Sequence, residues 1–224
     1  MYQVSAAYIA AIEGGAVQHI HGTLTDVNGD TLTLDDSTMV GNPSVDLRCV
    51  EDEEVFMIGQ MYTGELGMIL NAPYLRRDEI IGGEVQLWFS VDGAPDEVPL
   101  GVFDVTSAER ESGSRLTVKA VDHISRLDAE LNNDYVGVVF AAAVLEQIET
   151  VAKVKFAQTI DEINALLPTD SDGKKIDIKY DWFGTHYLSN CRDEVRAIAQ
   201  LIGGFAFANR EGKIEFRRFS KTPV

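Results

Sequence analysis

Residues 17–35 read VQHIHGTLTDVNGDTLTLD, and this stretch decides the fold. Polar and apolar residues alternate along 19–25 and again along 31–34, which is the two-residue period of a β-strand. Asn28-Gly29 lies between the two runs, and Asn-Gly is the strongest short-range signal for a hairpin turn. The stretch therefore predicts a β-hairpin near the start of a β-rich fold.

The same period continues after the hairpin, with further strands predicted at 44–50, 56–70, 84–91, about 98–105 and 115–121. Gly59, Gly64 and Gly67 interrupt the run 56–70, which favours a strand bent at bulges. A series of short strands at this spacing is typical of a β-sandwich or a small closed barrel. We expect closure, because a closed barrel has no exposed strand edges.

Beyond residue 122 the pattern becomes mixed. Apolar residues at helical spacing predict helices at 138–154, 159–167 and 190–202, with a strand at 175–180 and a hairpin at 205–219. The predicted class is α+β: an antiparallel β-barrel or sandwich domain at 1–130, then a smaller α/β domain at 131–224. Because the chain ends just after a strand, we expect the second domain to continue beyond Val224.

A short helix is predicted at 5–13. Ser5 is a suitable N-cap, Tyr8, Ile9 and Ile12 are predicted to share one face, and Gly14-Gly15 stops the helix. A helix this short is marginal in water by itself, so it must dock on its own domain or on a neighbour. Tyr8 and Ile12 are therefore predicted to belong to an interaction surface.

The formal net charge is −17, from 36 acidic and 19 basic residues. Binding to nucleic acid or to an anionic membrane is not expected, because both need Lys and Arg to neutralise phosphates. No stretch approaches the roughly 20 apolar residues of a membrane-spanning helix, and residues 1–15 have neither a basic start nor a long apolar stretch, so we expect no leader sequence there. We expect a soluble protein made in the bacterial cytoplasm.

Motifs for metal binding are weak. His19 and His21 share a strand face, but a metal would need a third ligand, so solvent-facing histidines are the preferred interpretation. The acidic residues around Asp26 resemble a calcium loop only in composition, since the EF-hand positions for Gly and Glu hold Thr31 and Ser37. Cys49 and Cys191 have neither disulfide nor zinc spacing. No metal and no cofactor is predicted.

Motifs for catalysis are weak as well. The sequence contains no G-x-S-x-G, no phosphate-binding glycine loop and no cysteine with an evident histidine partner. A pair of carboxylates for glycoside hydrolysis stays open, because their separation is spatial. No catalytic residue is predicted, and the protein is predicted not to be an enzyme.

Aromatic residues give two further predictions. Trp88 alternates within its strand and is predicted to pack in the β core. Tyr180, Trp182 and Phe183 stand together beside Gly184, and exposed aromatics at a loop tip are typical of a contact surface. These three residues complete the predicted interaction surface.

Several segments together resemble the baseplate hub proteins of phage and prophage tails and of related contractile injection systems. The most specific match is 198–217, IAQLIGGFAFANREGKIEFR. The other matching segments are 4–8 with the strand ending at His21-Gly22, FMIGQMYTGEL at 56–66, PLGVFDV at 99–105 and LTVKAVDH at 116–123.

The resemblance implies a structural protein of the virion tail without catalytic residues. It implies a homotrimeric ring whose β domains surround a channel and connect the tail tube to the tip or spike. DNA would pass through such a ring without being bound, and we expect an acidic channel wall because it repels phosphates.

Two other functions remain open at this point. One is a carbohydrate-binding or adhesion module built on the β domain, which exposed Tyr180 and Trp182 beside a groove would favour. The other is a hydrolase that uses two carboxylates.

Overall fold

The computed structural model describes residues 2–47, 58–131, 138–169, 171–173, 179–181 and 190–219. The chain forms two compact units. The first takes in the described residues of Met1–Asp46, Gly64–Asp122 and Arg210–Gly212, and the second takes in those of Leu47–Thr63, His123–Asn209 and Lys213–Val224.

The first unit is built mainly of antiparallel strands. Its elements are α1 (Ala6–Glu13), β1 (Gln18–Thr25), β2 (Thr31–Leu34), β3 (Ser44–Asp46), β4 (Glu65–Asn71), α2 (Arg77–Ile80), β5 (Glu84–Val91), β6 (Glu97–Ser112) and β7 (Arg115–Asp122). The predicted hairpin is confirmed, since β1 pairs antiparallel with β2 from Gly22 opposite Leu34 to Thr25 opposite Thr31.

The seven strands form one sheet in the order β2-β1-β5-β6-β7-β4-β3. In the described part of the chain β2 and β3 are the two edges, so the fold is sandwich-like and the expectation of a closed barrel is wrong. The edge strands are only four and three residues long. Because short edges expose few unpaired backbone groups, the sheet limits its open edges without closing.

Alternating side chains from these strands fill the core of the first unit. Leu24, Leu87, Phe103 and Leu116 are each at most 1 % exposed and belong to one apolar cluster. Gly22 lets β1 and β5 approach each other, since a Cβ at this position would stand 2.2 Å from the carbonyl oxygen of Gln86. A larger residue at Gly22 would therefore push the two strands apart.

The second unit combines helices with two-stranded sheets. Its elements are a 3-10 helix (His123–Asp128), β8 (Val138–Phe140), α3 (Ala141–Val151), α4 (Ile160–Leu166), β9 (Lys179–Asp181), α5 (Cys191–Ile202), β10 (Gly204–Ala208) and β11 (Ile214–Arg218). β10 pairs with β11, and β8 pairs with β9, both antiparallel. The apolar face of α5 packs in a separate core that also contains Ile148, Ile163 and Phe216.

Two predicted elements differ from the structure. In the run 56–70 the described strand begins only at Glu65, where alternation puts Leu66, Met68 and Leu70 into the core. The helix predicted at 138–154 is preceded by β8 and ends at Val151. Val138, Val139 and Phe140 are β-branched or aromatic, so they favour pairing with β9 over a first helical turn.

The predicted α+β class is confirmed. The division into domains at 1–130 and 131–224, and the continuation beyond Val224, stay predictions. Cys49 and the end of the strand predicted at 44–50 lie outside the described residues.

Candidate interaction surface

The N-terminal helix α1 is tied to the turn before β6. The N–H of Tyr8 donates to the Ser5 hydroxyl oxygen at 3.2 Å, so Ser5 is the N-cap, as predicted. The Ser5 hydroxyl also donates to a carboxylate oxygen of Asp96, and the Ser5 N–H donates to the other oxygen at 3.3 Å. One acidic side chain therefore fixes the start of the helix.

Tyr8 holds α1 against the sheet. It is 6 % exposed and forms a small apolar cluster with Val91 at the end of β5 and Val98 near the start of β6. Burial raises the pKa of the Tyr8 hydroxyl, the nearby Asp96 carboxylate raises it further, and the positive charge of Arg210 offsets part of the increase. Tyr8 therefore contacts its own unit, and its predicted role in binding a neighbour stays a prediction.

The remainder of α1 is exposed, apart from Ala11, which is partly buried. Seven of its eight residues are apolar, but only Tyr8 is buried. Ile9 is 50 % exposed and Ile12 is 40 % exposed. The predicted common face of Tyr8, Ile9 and Ile12 is therefore split, because the helix turns Tyr8 and the smaller Ala11 towards the sheet.

The histidines of β1 lie on the strand face that points away from the core. The His19 Nε2 atom is 3.1 Å from a carboxylate oxygen of Asp92, and its Nδ1 atom is 3.6 Å from Asp36. The His21 Nε2 atom is 3.3 Å from a carboxylate oxygen of Glu97. Each histidine thus has its own carboxylate neighbours, as expected for histidines on a partly exposed, acidic strand face.

Trp88 lies on the same outer face, so the prediction that it packs in the core is wrong. It pairs with His21 across β1 and β5, and the two rings stack with centroids 6.2 Å apart. Leu87 occupies the core position instead. Adjacent apolar residues in a strand must point to opposite faces, and the sequence does not say which of the two points inward.

The loop around Asp26 is a hairpin turn. A carboxylate oxygen of Asp26 accepts hydrogen bonds from the N–H groups of Asn28 at 2.8 Å and Asp30 at 2.9 Å. Gly29 has a φ of 89°, in the left-handed region that glycine favours. The acidic residue thus stabilises the turn, which is the interpretation preferred from the sequence.

Cys191, at the start of α5, is a buried thiol. Burial raises its pKa to about 11, and the neighbouring Glu194 carboxylate adds to the increase. At neutral pH the side chain is therefore protonated, and a protonated thiol is a poor nucleophile. This position acts as a small apolar residue of the core.

The negative charge is concentrated in the first unit. By sequence the first unit holds 18 acidic and 6 basic residues, a net charge of −12, whereas the second holds 18 and 13, a net charge of −5. Residues 1–47 contain no Lys or Arg, and neither do residues 84–109. These two ranges include α1, β1, β2 and β5, so none of these elements supplies a Lys or Arg near α1. Arg210, also in the first unit, is a cation that acts electrostatically on Tyr8.

Two of the three aromatics predicted for the interaction surface, Trp182 and Phe183, lie outside the described residues. Of Tyr180 the structure gives the backbone, which pairs with Val139 between β8 and β9. Their part in an interaction surface stays a prediction. Within the described segments no helix combines the length and apolar composition needed to cross a lipid bilayer.

Comparison with known proteins finds likeness in structure only. No protein-family model and no curated protein sequence matches the chain. The prophage tail protein gp18 from Listeria monocytogenes EGD-e is 11 % identical, with a TM-score of 0.47 over 88 % of this chain and 50 % of that one. A chain of the native gene transfer agent virion is 13 % identical, with a TM-score of 0.41 over 58 % of this chain and 49 % of that one.

The 43 kDa tail protein of prophage MuSo2 from Shewanella oneidensis is also similar. It is 11 % identical, and the alignment has a TM-score of 0.52 over 93 % of this chain. The chain spans 57 % of the length of that protein. Nearly all of the chain therefore shares the fold of part of a prophage tail protein.

Proposed function

We propose that this protein is a structural component of a phage-like tail, located in the baseplate of the virion. In this role it forms part of the hub ring that connects the tail tube to the tip. The observation that carries the proposal is the shared fold with a prophage tail protein over 93 % of the chain. The proposed role is assembly, without a catalytic step.

Two surface features support a role in assembly. Among the residues that the structure describes, the sheet of the first unit ends at the edge strands β2 and β3, and α1 leaves Ile9 and Ile12 exposed. Unpaired edges and exposed apolar side chains are surfaces through which chains associate. The proposed partners are further copies of the chain, as a homotrimer, together with the tail tube and the tip or spike proteins.

The charge fits a ring through which DNA passes without being bound. A net charge of −17 repels phosphates, and most of it belongs to the first unit. We propose that the acidic first unit faces the channel. A channel wall lined by Lys and Arg in the assembled particle would contradict this part of the proposal.

The proposal is tested by locating the protein and measuring its assembly. Immunogold labelling of purified particles is expected to mark the tail end, where the baseplate lies. Light scattering of the full-length protein, mixed with the tail tube and tip proteins, is expected to give three copies per complex. Absence of the protein from purified tails would contradict the tail role, and labelling elsewhere on the tail would contradict the hub role alone.

A second candidate function, carbohydrate binding in an adhesion module, is favoured by one observation. A groove of about 360 Å³ on the first unit is lined by Trp88 and Pro99 together with the polar residues Gln86 and Glu97. An aromatic face beside hydrogen-bonding side chains suits a sugar ring. Glycan-array binding that disappears in Trp88→Ala would support this function, and an array without binding would exclude those glycans as ligands.

A further inference from the structure

We propose that the exposed side of α1, the surface formed by Ile9 and Ile12, binds a segment of another protein that is apolar and rich in Lys or Arg. We call this surface the α1 face. The inference rests on the proposed role in tail assembly, and it names the chemistry of one partner. It also implies that the occupant is not a second copy of this chain.

The composition of α1 favours burial of its exposed side by another protein segment. A helix that is apolar all round is normally buried on all sides, because each exposed apolar side chain costs free energy in water. In α1 the sequence AAYIAAIE has one charged residue, at its end, and one buried residue, Tyr8. Ile9 and Ile12 stand one turn apart and are 50 % and 40 % exposed, so they form a continuous apolar surface.

The α1 face is fixed in position by contacts of α1 and its flanking residues with the β5–β6 hairpin. Ser5 is bound to Asp96, and Tyr8 is buried between Val91 and Val98. After the helix, the N–H of Asp92 donates to the carbonyl oxygen of Val17 at 2.9 Å. Because both ends of the helical segment are attached to the β5–β6 hairpin, a partner would not have to order the helix when it binds.

Charge decides the kind of occupant. Glu13 ends α1, and Asp92 and Glu97 on the supporting hairpin have side chains 65 % and 62 % exposed. Residues 1–47 and 84–109 supply no Lys or Arg, and Arg210, which acts electrostatically on Tyr8, is a single cation against these three carboxylates and that of Asp96. A second copy would bring the same acidic surroundings to the contact and be repelled, whereas a segment with Lys or Arg around its apolar residues would be attracted.

The test uses the full-length protein and two matched synthetic peptides. Each peptide is a fluorescein-labelled amphipathic helix with the same leucines, and its polar positions are all Lys in one peptide and all Glu in the other. Fluorescence anisotropy is expected to show binding of the Lys peptide and none of the Glu peptide. The double variant Ile9→Ser/Ile12→Ser is expected to weaken binding of the Lys peptide at least about tenfold.

The control separates the α1 face from general attraction to an acidic protein. Val27, in the β1–β2 turn at the opposite end of β1 from α1, is 54 % exposed, and Val27→Ser keeps the net charge unchanged. This variant is expected to bind the Lys peptide as the unchanged protein does. Equal weakening by both variants, no weakening by either, or no binding of the Lys peptide at all would overturn the inference.

Light scattering of the same variants distinguishes this inference from the proposed ring. If Ile9→Ser/Ile12→Ser abolishes self-association, a second copy occupies the α1 face and the inference is wrong, although the ring proposal stands. If the double variant assembles normally but loses the Lys peptide, the inference is supported. A protein absent from tails that still binds the peptide through Ile9 and Ile12 would contradict the proposed function and leave the binding surface established.

Discussion

The helices α1 and α5 differ in how their apolar residues are distributed and buried. In α5 the apolar residues Val195, Ile198, Ala199 and Ile202 occupy one stripe, and all are at most 1 % exposed. In α1 apolar residues occupy every side, and only Tyr8 is buried. The apolar stripe of α5 is fully buried in the core of the second unit. In contrast, α1 has more apolar surface than the first unit buries.

The two units that contain these helices also differ in net charge. The unit that contains α1 has a net charge of −12, against −5 for the unit that contains α5. Like charges that face each other across a contact oppose association at that contact, whereas opposite charges favour it. Exposed apolar surface and concentrated charge therefore occur together in the first unit, which is the combination that an interface with a basic partner requires.

The largest expected difference between the helices comes from one identical substitution. Ile198→Ala removes a fully buried side chain of α5, so we expect the free energy of unfolding to fall by about 2–5 kcal/mol. Ile12→Ala changes a side chain of α1 that is 40 % exposed, and we expect a change below about 0.5 kcal/mol, since Ala is also the better helix former. Urea unfolding followed by far-UV circular dichroism measures both.

This pair of variants tests whether Ile12 is less tightly packed than Ile198. Ile198 is 0 % exposed and lies in the second half of α5, away from its cap, so its effect reports on packing. A loss of similar size for Ile12→Ala would mean that Ile12 is packed in the isolated protein, and the α1 face would then not be free for a partner.

A smaller effect is expected from the one residue that anchors α1. Tyr8→Ala removes its contacts with Val91 and Val98, and burial of a side chain of this size contributes about 1.5–3 kcal/mol. We expect the amide hydrogens of α1 to exchange at least about tenfold faster, because undocking of the helix becomes easier. Hydrogen exchange measured by mass spectrometry on peptides of α1 and β7 checks this.

The β7 strand serves as the internal reference for Tyr8→Ala. Its side chains Leu116 and Val118 belong to the main core of the first unit, to which Tyr8 does not belong. Exchange in β7 is therefore expected to stay unchanged. Faster exchange in both elements would show that α1 is an integral part of the sheet, contrary to a helix docked through a small separate cluster.

What the sequence predicts well is local. The apolar period at 190–202 predicts α5, and the structure confirms the helix over Cys191–Ile202, with Asn190 as its N-cap and Gly203 as its C-cap. The hairpin of β1 and β2 follows in the same way from alternation and Asn28-Gly29. In these elements neighbours in the chain are also neighbours in space, so their pattern specifies their structure.

What the sequence leaves open depends on distant contacts. Asp96, which fixes α1, is 91 residues from Ser5, and no local pattern links the two. Whether Leu87 or Trp88 points inward depends on the register with β1, and the edges of the sheet depend on the order of all seven strands. The exposed side of α1 could not be predicted for the same reason, since the contacts that bury Tyr8, with Val91 and Val98, are distant in sequence.

The smallest expected effect compares the caps of the two helices. Ser5 caps α1 through the N–H of Tyr8 at 3.2 Å, and Asn190 caps α5 through the N–H of Asp193 at 2.9 Å. Removal of either cap by substitution with Ala costs about 1 kcal/mol of helix stability. For Asn190→Ala we expect this loss to appear in urea unfolding, because α5 is part of a core.

For Ser5→Ala we expect faster hydrogen exchange of α1 with little change in urea unfolding, because α1 can undock while the sheet stays folded. A clear loss in urea unfolding for Ser5→Ala would mean that Asp96 couples α1 to the sheet more tightly than the small Tyr8 cluster implies.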